Sequence, residues 1–440
     1  MYRHHIRHLV QTHLTLSNDT MTLEETLASA KTAGDKGNLV EAEKLYREIL
    51  DQKAGTNEKS IQIQESALIN LGTLYASNNK PQDLADLIHT SLTVMSGFAK
   101  SKTAKIIRNL IDLFAKVPSD CIDLQIATTQ KCIEWAVSEK RNFLRQSLQT
   151  RLVSLFLEKK TYYDALNLIN TLLKELKKLD DKMVLVEVQL LEAKAYHALR
   201  NIPKSRASLT SARTSANAVY CPPLTQAALD TMSGILQADD KDYKTAFSYF
   251  YEAFEGYVGQ ENPKAGTVLK YMLLCKIMLN LADDVETILN NKSAQAYQGR
   301  DVDVMKAVAV AYANRSLKEF EHVLELYKEE VQADPVIRVH FNDLYDSLLE
   351  QNLLKVIEPF SCVEINHIAE IIGLDTRQVE GKLSQMILDK GIKGVLDQGN
   401  GWLFIYDEPQ TDKTYDSALE TVKHMSTVVD LLYEKASSLN

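Results

Sequence analysis

The sequence predicts a mostly α-helical chain: a helical-repeat solenoid, then a small winged-helix module, then one long C-terminal helix. Three observations carry this. Apolar residues recur with helical period and few breakers, since only 16 glycines and 9 prolines occur in 440 residues. An alanine opens a new helix at a nearly constant interval, and the last thirty or so residues carry a heptad stripe.

The repeat comes first. Ala42, Ala85, Ala127, Ala165, Ala207 and Ala246 each follow a polar break, and their separations run from 38 to 43 residues. Two helices of four to five turns with two short connections fill such an interval. The breaks are Gly37-Asn38, Asn78 to Pro81, Pro118 to Asp120, Lys159 to Thr161, Asn201 to Pro203 and Asp239-Asp240, combinations of caps, turn formers and helix-starting proline. Around Ala42, the residues Leu45, Tyr46, Ile49 and Leu50 share one helical face. One hairpin cannot bury both of its apolar faces, so neighbours must stack. The full tetratricopeptide consensus is missing, which predicts a tetratricopeptide-like solenoid of irregular pitch. The pattern weakens over residues 281–330, where Ser316 opens a further helix.

The texture changes at Asp334-Pro335. A helix is expected from Val336 to about Lys355, then shorter ones over Val363–Ile372 and Asp375–Lys390, separated by Gly373 with Asp375 as N-cap. Strands are expected over Lys393–Asp397 and Trp402–Tyr406, joined by the Gln398 to Gly401 turn. Helix, turn, helix and β-wing make a winged helix. A final helix begins near Thr411, and Tyr415, Ala418, Val422, Met425, Val429, Leu432, Ala436 and Leu439 step by 3 and 4 along it. This a/d seam has no partner within its own segment, so it predicts a protein interface in a coiled coil or bundle.

Charge bears on function. With 50 basic and 59 acidic side chains the chain carries a formal −9, which opposes nucleic acid and anionic lipid and favours protein partners. Between Val356 and Pro409 nine carboxylates face four basic side chains, so the winged helix is expected not to read DNA, although a DNA-binding regulator remains the alternative of another class. No apolar run is long enough to span a bilayer. Five scattered cysteines without a Cys-x-x-Cys pair predict free thiols in a reducing compartment.

No His-Glu-x-x-His, phosphate-binding Gly-rich loop or Gly-x-Ser-x-Gly elbow occurs, so no catalytic residue, cofactor or metal site is predicted. His4 and His8 lie one helical turn apart without a third ligand, and the histidines from His89 to His424 are single residues on helices. Residues 1–18 hold Arg3, Arg7 and four histidines but no carboxylate; a disordered or misassigned extension ahead of Met21, a short helix and a targeting segment are the three readings. The aromatic run from Tyr243 to Phe254 is expected to be repeat core. The wing is the second expected protein interface: Trp402, Phe404 and Tyr406 alternate with Leu403 and Ile405, and with Val395 and Leu396 they form an apolar edge that can pair with a neighbouring strand or pack on Leu383, Met386 and Ile387.

Particular segments carry a resemblance. A solenoid followed by a winged helix is similar to the PCI family, shared by scaffold subunits of the proteasome lid, the COP9 signalosome and translation initiation factor three. The stretches Val379 to Lys390, Leu396 to Gly399, Asp407 to Pro409, Asp412 to Tyr415, Ala246 to Tyr257 and Lys270 to Asn280, with shorter matches from Cys132 onward, resemble a PCI-domain lid subunit of the 26S proteasome regulatory particle. The resemblance implies a non-catalytic hetero-oligomer subunit of cytoplasm and nucleus, acting in ubiquitin-dependent degradation. Its winged helix would join other lid PCI subunits, its last helix a bundle, and its solenoid the core-particle α ring and the ATPase ring. The expected domains are an extension over 1–20, a solenoid over 21–335, linker helix and winged helix over 336–409 (the PCI module as a whole about 237–409) and the bundle helix over 410–440.

Overall fold

A computed structural model describes residues 25–34, 38–51, 58–94, 100–114, 121–281, 283–406 and 413–438. The expectations for residues 1–20, for His4 and His8, for the turn at Pro118 to Asp120 and for Leu439 lie outside these residues. By its contacts the chain forms two compact units, Met1–Asn262 and Pro263–Asn440.

The first unit is a series of antiparallel helices: α1 (25–34), α2 (Leu39–Asp51), α3 (Glu58–Ser77), α4 (Pro81–Val94), α5 (Lys100–Phe114), α6 (Ile122–Ser138), α7 (Asn142–Glu158), α8 (Tyr162–Leu179), α9 (Lys182–Ala198), α10 (Ile202–Asn217), α11 (Pro223–Asp239) and α12 (Tyr243–Val258). The same order of buried and exposed positions recurs over residues 131–140, 171–180 and 211–220, a repeat of 40 residues. Cys132, Leu172 and Ala212 are equivalent buried positions, as are Ala136, Leu176 and Ala216.

The alanine frame needs correction. Ala42, Ala85, Ala165 and Ala246 are buried, but Ala127 and Ala207 are exposed. The position that meets the paired helix is the fourth of each even-numbered helix from α2 to α12, occupied by Ala42, Leu84, Gln125, Ala165, Ser205 and Ala246, all buried. Their spacing is 40 to 42 residues, tighter than that of the alanines. Polar occupants keep hydrogen bonds: Ser205 Oγ donates to the Ala193 carbonyl at 2.8 Å and Gln125 Nε2 to the Phe114 carbonyl at 3.1 Å.

The connections turn on a residue in the left-handed region. At α7–α8, Lys160 (φ 66°) donates its N–H to the Leu157 carbonyl at 3.1 Å and Thr161 to that of Phe156 at 2.9 Å, a Schellman closure. Asn79, Lys140, Arg200 and Lys241 close their helices in the same way, without glycine. The next helix starts two residues later, after one N-cap residue, and Asn201 and Asp242 in that place accept cap bonds from the N–H groups of Lys204 and Thr245.

Close helix approach depends on one glycine in particular. A Cβ at Gly234 on α11 would lie 2.6 Å from the ring of Phe250 on α12, a ring that is fully buried. Phe254 and Tyr257 are buried beside it, so the aromatic run is largely repeat core, with Tyr251 at the surface. Nearby, buried Asp230 on α11 accepts from Arg213 of α10 at 2.9 Å and from Gln226 at 3.0 Å, and the Arg213 guanidinium stacks 4.6 Å over the Tyr249 ring of α12. Burial raises the Asp230 pKa above the ordinary carboxylate value, and its two donors oppose that rise.

The second unit contains α13 (Lys264–Met278), α14 (Asp283–Leu289), α15 (Lys292–Gln295), α16 (Arg300–Ala313), α17 (Leu317–Leu326), α18 (Lys328–Ala333), α19 (Pro335–Ile357), β1 (Cys362–Glu364), α20 (Ile365–Ile372), α21 (Thr376–Leu388), β2 (Gly394–Asp397), β3 (Trp402–Ile405) and α22 (Lys413–Ser437). Tyr271 of α13 donates its hydroxyl to Asp334 at 2.7 Å, and Asp334 in turn caps α19 by accepting the Val336 N–H at 3.1 Å. Further along, Gln351 of α19 donates to Asn280 and to the Tyr312 hydroxyl, each at 2.8 Å, and Tyr312 also bonds Asn280 and meets Ser347 at 3.2 Å.

The sheet is antiparallel in the order β1-β3-β2. Two expectations fail here. The segment expected as helix from Val363 begins as β1, because Cys362 to Glu364 pair with Trp402 to Phe404, a long-range bond that no local periodicity announces. Asp375 holds the N-cap position of α21, but its side chain makes no cap bond. Gly373 does close α20 in the left-handed region, at φ 85°.

Candidate interaction surfaces

The wing has an inner and an outer face. Leu403 is fully buried and pairs across the sheet with Leu396 and Val363, above a core of Ile365, Ile368, Val379, Leu383 and Met386. Because side chains alternate along a strand, Trp402, Phe404 and Tyr406 point the other way. All three are exposed, Trp402 and Phe404 rings lie 6.2 Å apart, and exposed Val395 stands opposite Phe404.

Leu396, grouped from sequence with the wing surface, is therefore on the inner face and half-buried. The aromatic strand is not an edge either: β3 is central, and β2 and β1 carry the open edges. What β3 offers is a face. Gly394 allows the pairing, since a Cβ there would stand 2.4 Å from the Phe404 carbonyl oxygen. Asp397 holds the turn, accepting from the N–H groups of Gly399 at 3.0 Å and Asn400 at 3.3 Å and from the Asn400 side chain at 2.9 Å; these bonds, the side-chain one first, hold its pKa below the usual value.

The second helix of the motif is poorly equipped for phosphates. Lys382 of α21 is spent on Glu350 at 3.0 Å and Asp346 at 3.7 Å, both on α19. That pair also fixes α21 against the long helix.

Helix α22 is the other surface. Every side chain described from Thr414 to Ser438 is exposed, and its large apolar residues are 51 to 76% exposed. The seam positions Tyr415, Ala418, Val422, Met425, Val429, Leu432 and Ala436 lie on one side of it. Leu419 and Tyr433 widen the stripe, and Val428 and Leu431 extend it around the helix. A band this broad exceeds a two-stranded a/d seam and suits a helix with more than one neighbour.

A third surface escaped the sequence reading. In the first unit Val137, Phe143, Leu179, Val219, Tyr220 and Leu224 are all exposed. They flank the α6–α7, α8–α9 and α10–α11 connections, which alternate with the others and so share one rim of the stack. Phe143 and Leu224 are exposed at the second position of α7 and α11, but Val40 and Tyr163 are exposed at the second position of α2 and α8 as well, so that position alone did not mark this rim in the sequence.

Among the described residues no group of three or more His, Cys, Asp or Glu could hold a metal, and no helix is long and apolar enough to cross a membrane. One cavity of about 510 Å³ lies along α1, α2 and α3, and its described lining, which includes Lys31, Tyr46, Asn70, Thr73 and Ser77, holds no carboxylate or histidine. Burial pushes the thiols of Cys132 and Cys275 up to about 12, away from nucleophilic use.

Stacked hairpins that lead into an acidic winged helix, with an amphipathic helix left bare at the end, define a PCI-type scaffold, and the PCI domain model matches residues 317–407. Two further models match on either side: the 26S proteasome regulatory subunit RPN6 N-terminal domain over residues 23–159 and the RPN6 C-terminal helix domain over residues 411–437. A Schizosaccharomyces pombe protein named probable 26S proteasome regulatory subunit rpn6 is 56% identical over 421 residues, 95% of this chain and 100% of its own length. The Saccharomyces cerevisiae 26S proteasome regulatory subunit RPN6 is 55% identical over 91% of this chain and 95% of its own, and an Arabidopsis thaliana homologue of 26S proteasome non-ATPase regulatory subunit 11 is 48% identical over 92% and 96%. The chain belongs to the RPN6 family of 26S proteasome regulatory subunits.

Proposed function

We propose that the chain is a structural subunit of the 26S proteasome lid that scaffolds lid assembly and helps join the lid to the core particle and the ATPase ring. It works in the cytoplasm and nucleus, without catalysis or cofactor. One observation carries the reading: in a chain of this family, a 25-residue helix displays an apolar stripe that no described residue covers. At roughly 25 cal/mol per Å² of apolar surface, such a stripe is a large uncollected driving force for association.

Each surface has a role within this reading. Helix α22 enters a bundle with the helices of other lid subunits, through Tyr415, Ala418, Val422, Met425, Val429, Leu432, Ala436 and Leu439. The wing meets a neighbouring PCI subunit through Val395, Trp402, Phe404 and Tyr406, with the β2 edge beside them; Leu396 supports that edge from within. The apolar rim of the first unit is the surface for the core-particle α ring and the ATPase ring. On this division residues 21–335 serve as the repeat arm, 336–409 as the docking module and 410–440 as the bundle helix. The net acidity of the winged helix and the engagement of Lys382 weigh against a DNA-binding regulator.

The test is purification of the tagged full chain under native conditions, beside a chain truncated before residue 411. The full chain is expected to co-purify with proteasome lid subunits, and the truncated chain to fold normally but stay out of the complex. Co-purification with signalosome or initiation-factor subunits instead, or normal incorporation of the truncated chain, overturns the reading.

A further inference from the structure

Eight apolar positions of α22 pair off about one midpoint, whereas Met425, Val428 and Leu431 mirror Ser426, Lys423 and Glu420. About a midpoint between Met425 and Ser426, Val422 mirrors Val429, Leu419 mirrors Leu432, Ala418 mirrors Tyr433 and Tyr415 mirrors Ala436. All of these side chains are exposed on one continuous helix.

A two-fold axis is what such a mirror serves. In an antiparallel pair of identical helices, each position comes level with its mirror position on the other copy, and the interface is isologous. At about 100° per residue, mirror positions also fall at equal angles on opposite sides of the contact line. Placed at the Met425–Ser426 midpoint, that line runs down the middle of the apolar stripe. Val422 and Val429 meet almost on it, about 10° to either side, the Tyr415–Ala436 and Ala418–Tyr433 pairs sit about 30° to either side, and Leu419 and Leu432 lie about 70° out on the flanks. The sizes then complement. Each tyrosine stands beside an alanine and valine meets valine, while Leu419 and Leu432 close opposite flanks of the contact. The flanks agree as well, since Asp430 comes level with Thr421 and Lys423 with Val428, so no like charges are set together. A parallel in-register pair would instead oppose tyrosine to tyrosine and alanine to alanine, leaving clashes and voids.

We propose that the free chain forms a homodimer through antiparallel pairing of α22 about the Met425–Ser426 midpoint. The pairing covers the stripe with a second copy until the helix is taken up elsewhere. It rests on α22 being an interaction helix, as in the function proposed above, but the partner here is the chain itself. Leu431 points away from the contact line and Val428 lies at its margin, so the dimer leaves them in water.

Purified full chain, followed by sedimentation equilibrium from 1 to about 100 μM, is expected to approach twice its 49.6 kDa mass. Leu419→Asp with Leu432→Asp should hold it at the monomer mass, and Leu431→Asp should leave the dimer intact, which separates this register from unspecific clustering. Orientation is read by mild oxidation: chains with Val422→Cys mixed with chains with Val429→Cys should cross-link to each other several-fold more than either does to itself, the unsubstituted chain serving as the background of its own cysteines. A monomer at every concentration, equal loss of dimer in Leu431→Asp, or preferential self-cross-linking overturns the proposal. A monomeric chain that still enters the proteasome would end this inference and leave the proposed function standing; a dimer that never enters it would do the reverse.

Discussion

Helices α8 and α22 are both amphipathic, yet they meet opposite fates. In α8 the stripe Ala165, Ile169, Leu172 and Leu176 is buried to the last atom or nearly so, because α7 and α9 lie against it. In α22 an equally regular stripe is open along its whole described length. The pattern of residues is the same kind; what differs is whether a described part of the chain lies against it. Burial inside the repeats stabilises the fold, and exposure at the tail stores the same kind of free energy for association.

The sharpest way to break this comparison is to place one charge in each stripe. Leu172→Asp should cost about 4 kcal/mol or more, enough to unfold the first unit, because a carboxylate would replace a fully buried side chain. Leu432→Asp should leave the free chain, titrated with denaturant at a concentration too low for self-association, within about 0.5 kcal/mol of its original stability, while removing it from the assembled complex. If both behaved alike, the distinction between inward and outward stripes would fall.

A second test acts on polar packing between repeats. Arg213→Met strips buried Asp230 of its ionic partner and should destabilise by about 3 kcal/mol. Burial already raises the folded-state pKa of Asp230, so the folded chain holds its proton more tightly than the unfolded chain. Stability from this group is therefore present at low pH and lost as pH rises through the folded value. Without Arg213 that pKa climbs further, so the loss should be smaller near pH 4 than at pH 7, as thermal unfolding at the two pH values would reveal. The smallest effect concerns the connections. Lys160→Gly relieves a left-handed residue and should stabilise by about 1 kcal/mol, whereas a glycine within a helix would do the opposite.

The sequence carried much of this architecture, for reasons that can be named. Stacked hairpins repeat because each needs a neighbour, and that need leaves a period of about forty residues in plain view. The winged helix was readable from Gly373, from the Gln398 to Gly401 turn and from the alternation at Trp402 to Tyr406. Where the reading slipped, the deciding interaction was distant or indifferent to residue type. Ala127 and Ala207 stood in for the buried positions Gln125 and Ser205, because a polar side chain that finds a carbonyl can fill a site where alanine is the usual sign. Strand β1 is only three residues long and exists through its bonds to β3, more than thirty-five residues away. Lysine and arginine at the left-handed turns look like ordinary surface residues. The apolar spacing of α22 was legible because it needs nothing beyond the helix itself, but Leu396 was assigned to the wrong face because its side is set by its pairing with buried Leu403 across the sheet.

The double bracing of α19 has a mechanical consequence. Tyr271 pins its first turn through Asp334, and the Asn280, Tyr312 and Gln351 bonds pin it again further along, so a hinge between these points would break hydrogen bonds at the surface and in the half-buried layer beneath it. Lys382 then fastens the winged helix to its far half. A pull on the wing is thus delivered to α13 as through a girder, with little lost to bending along the way.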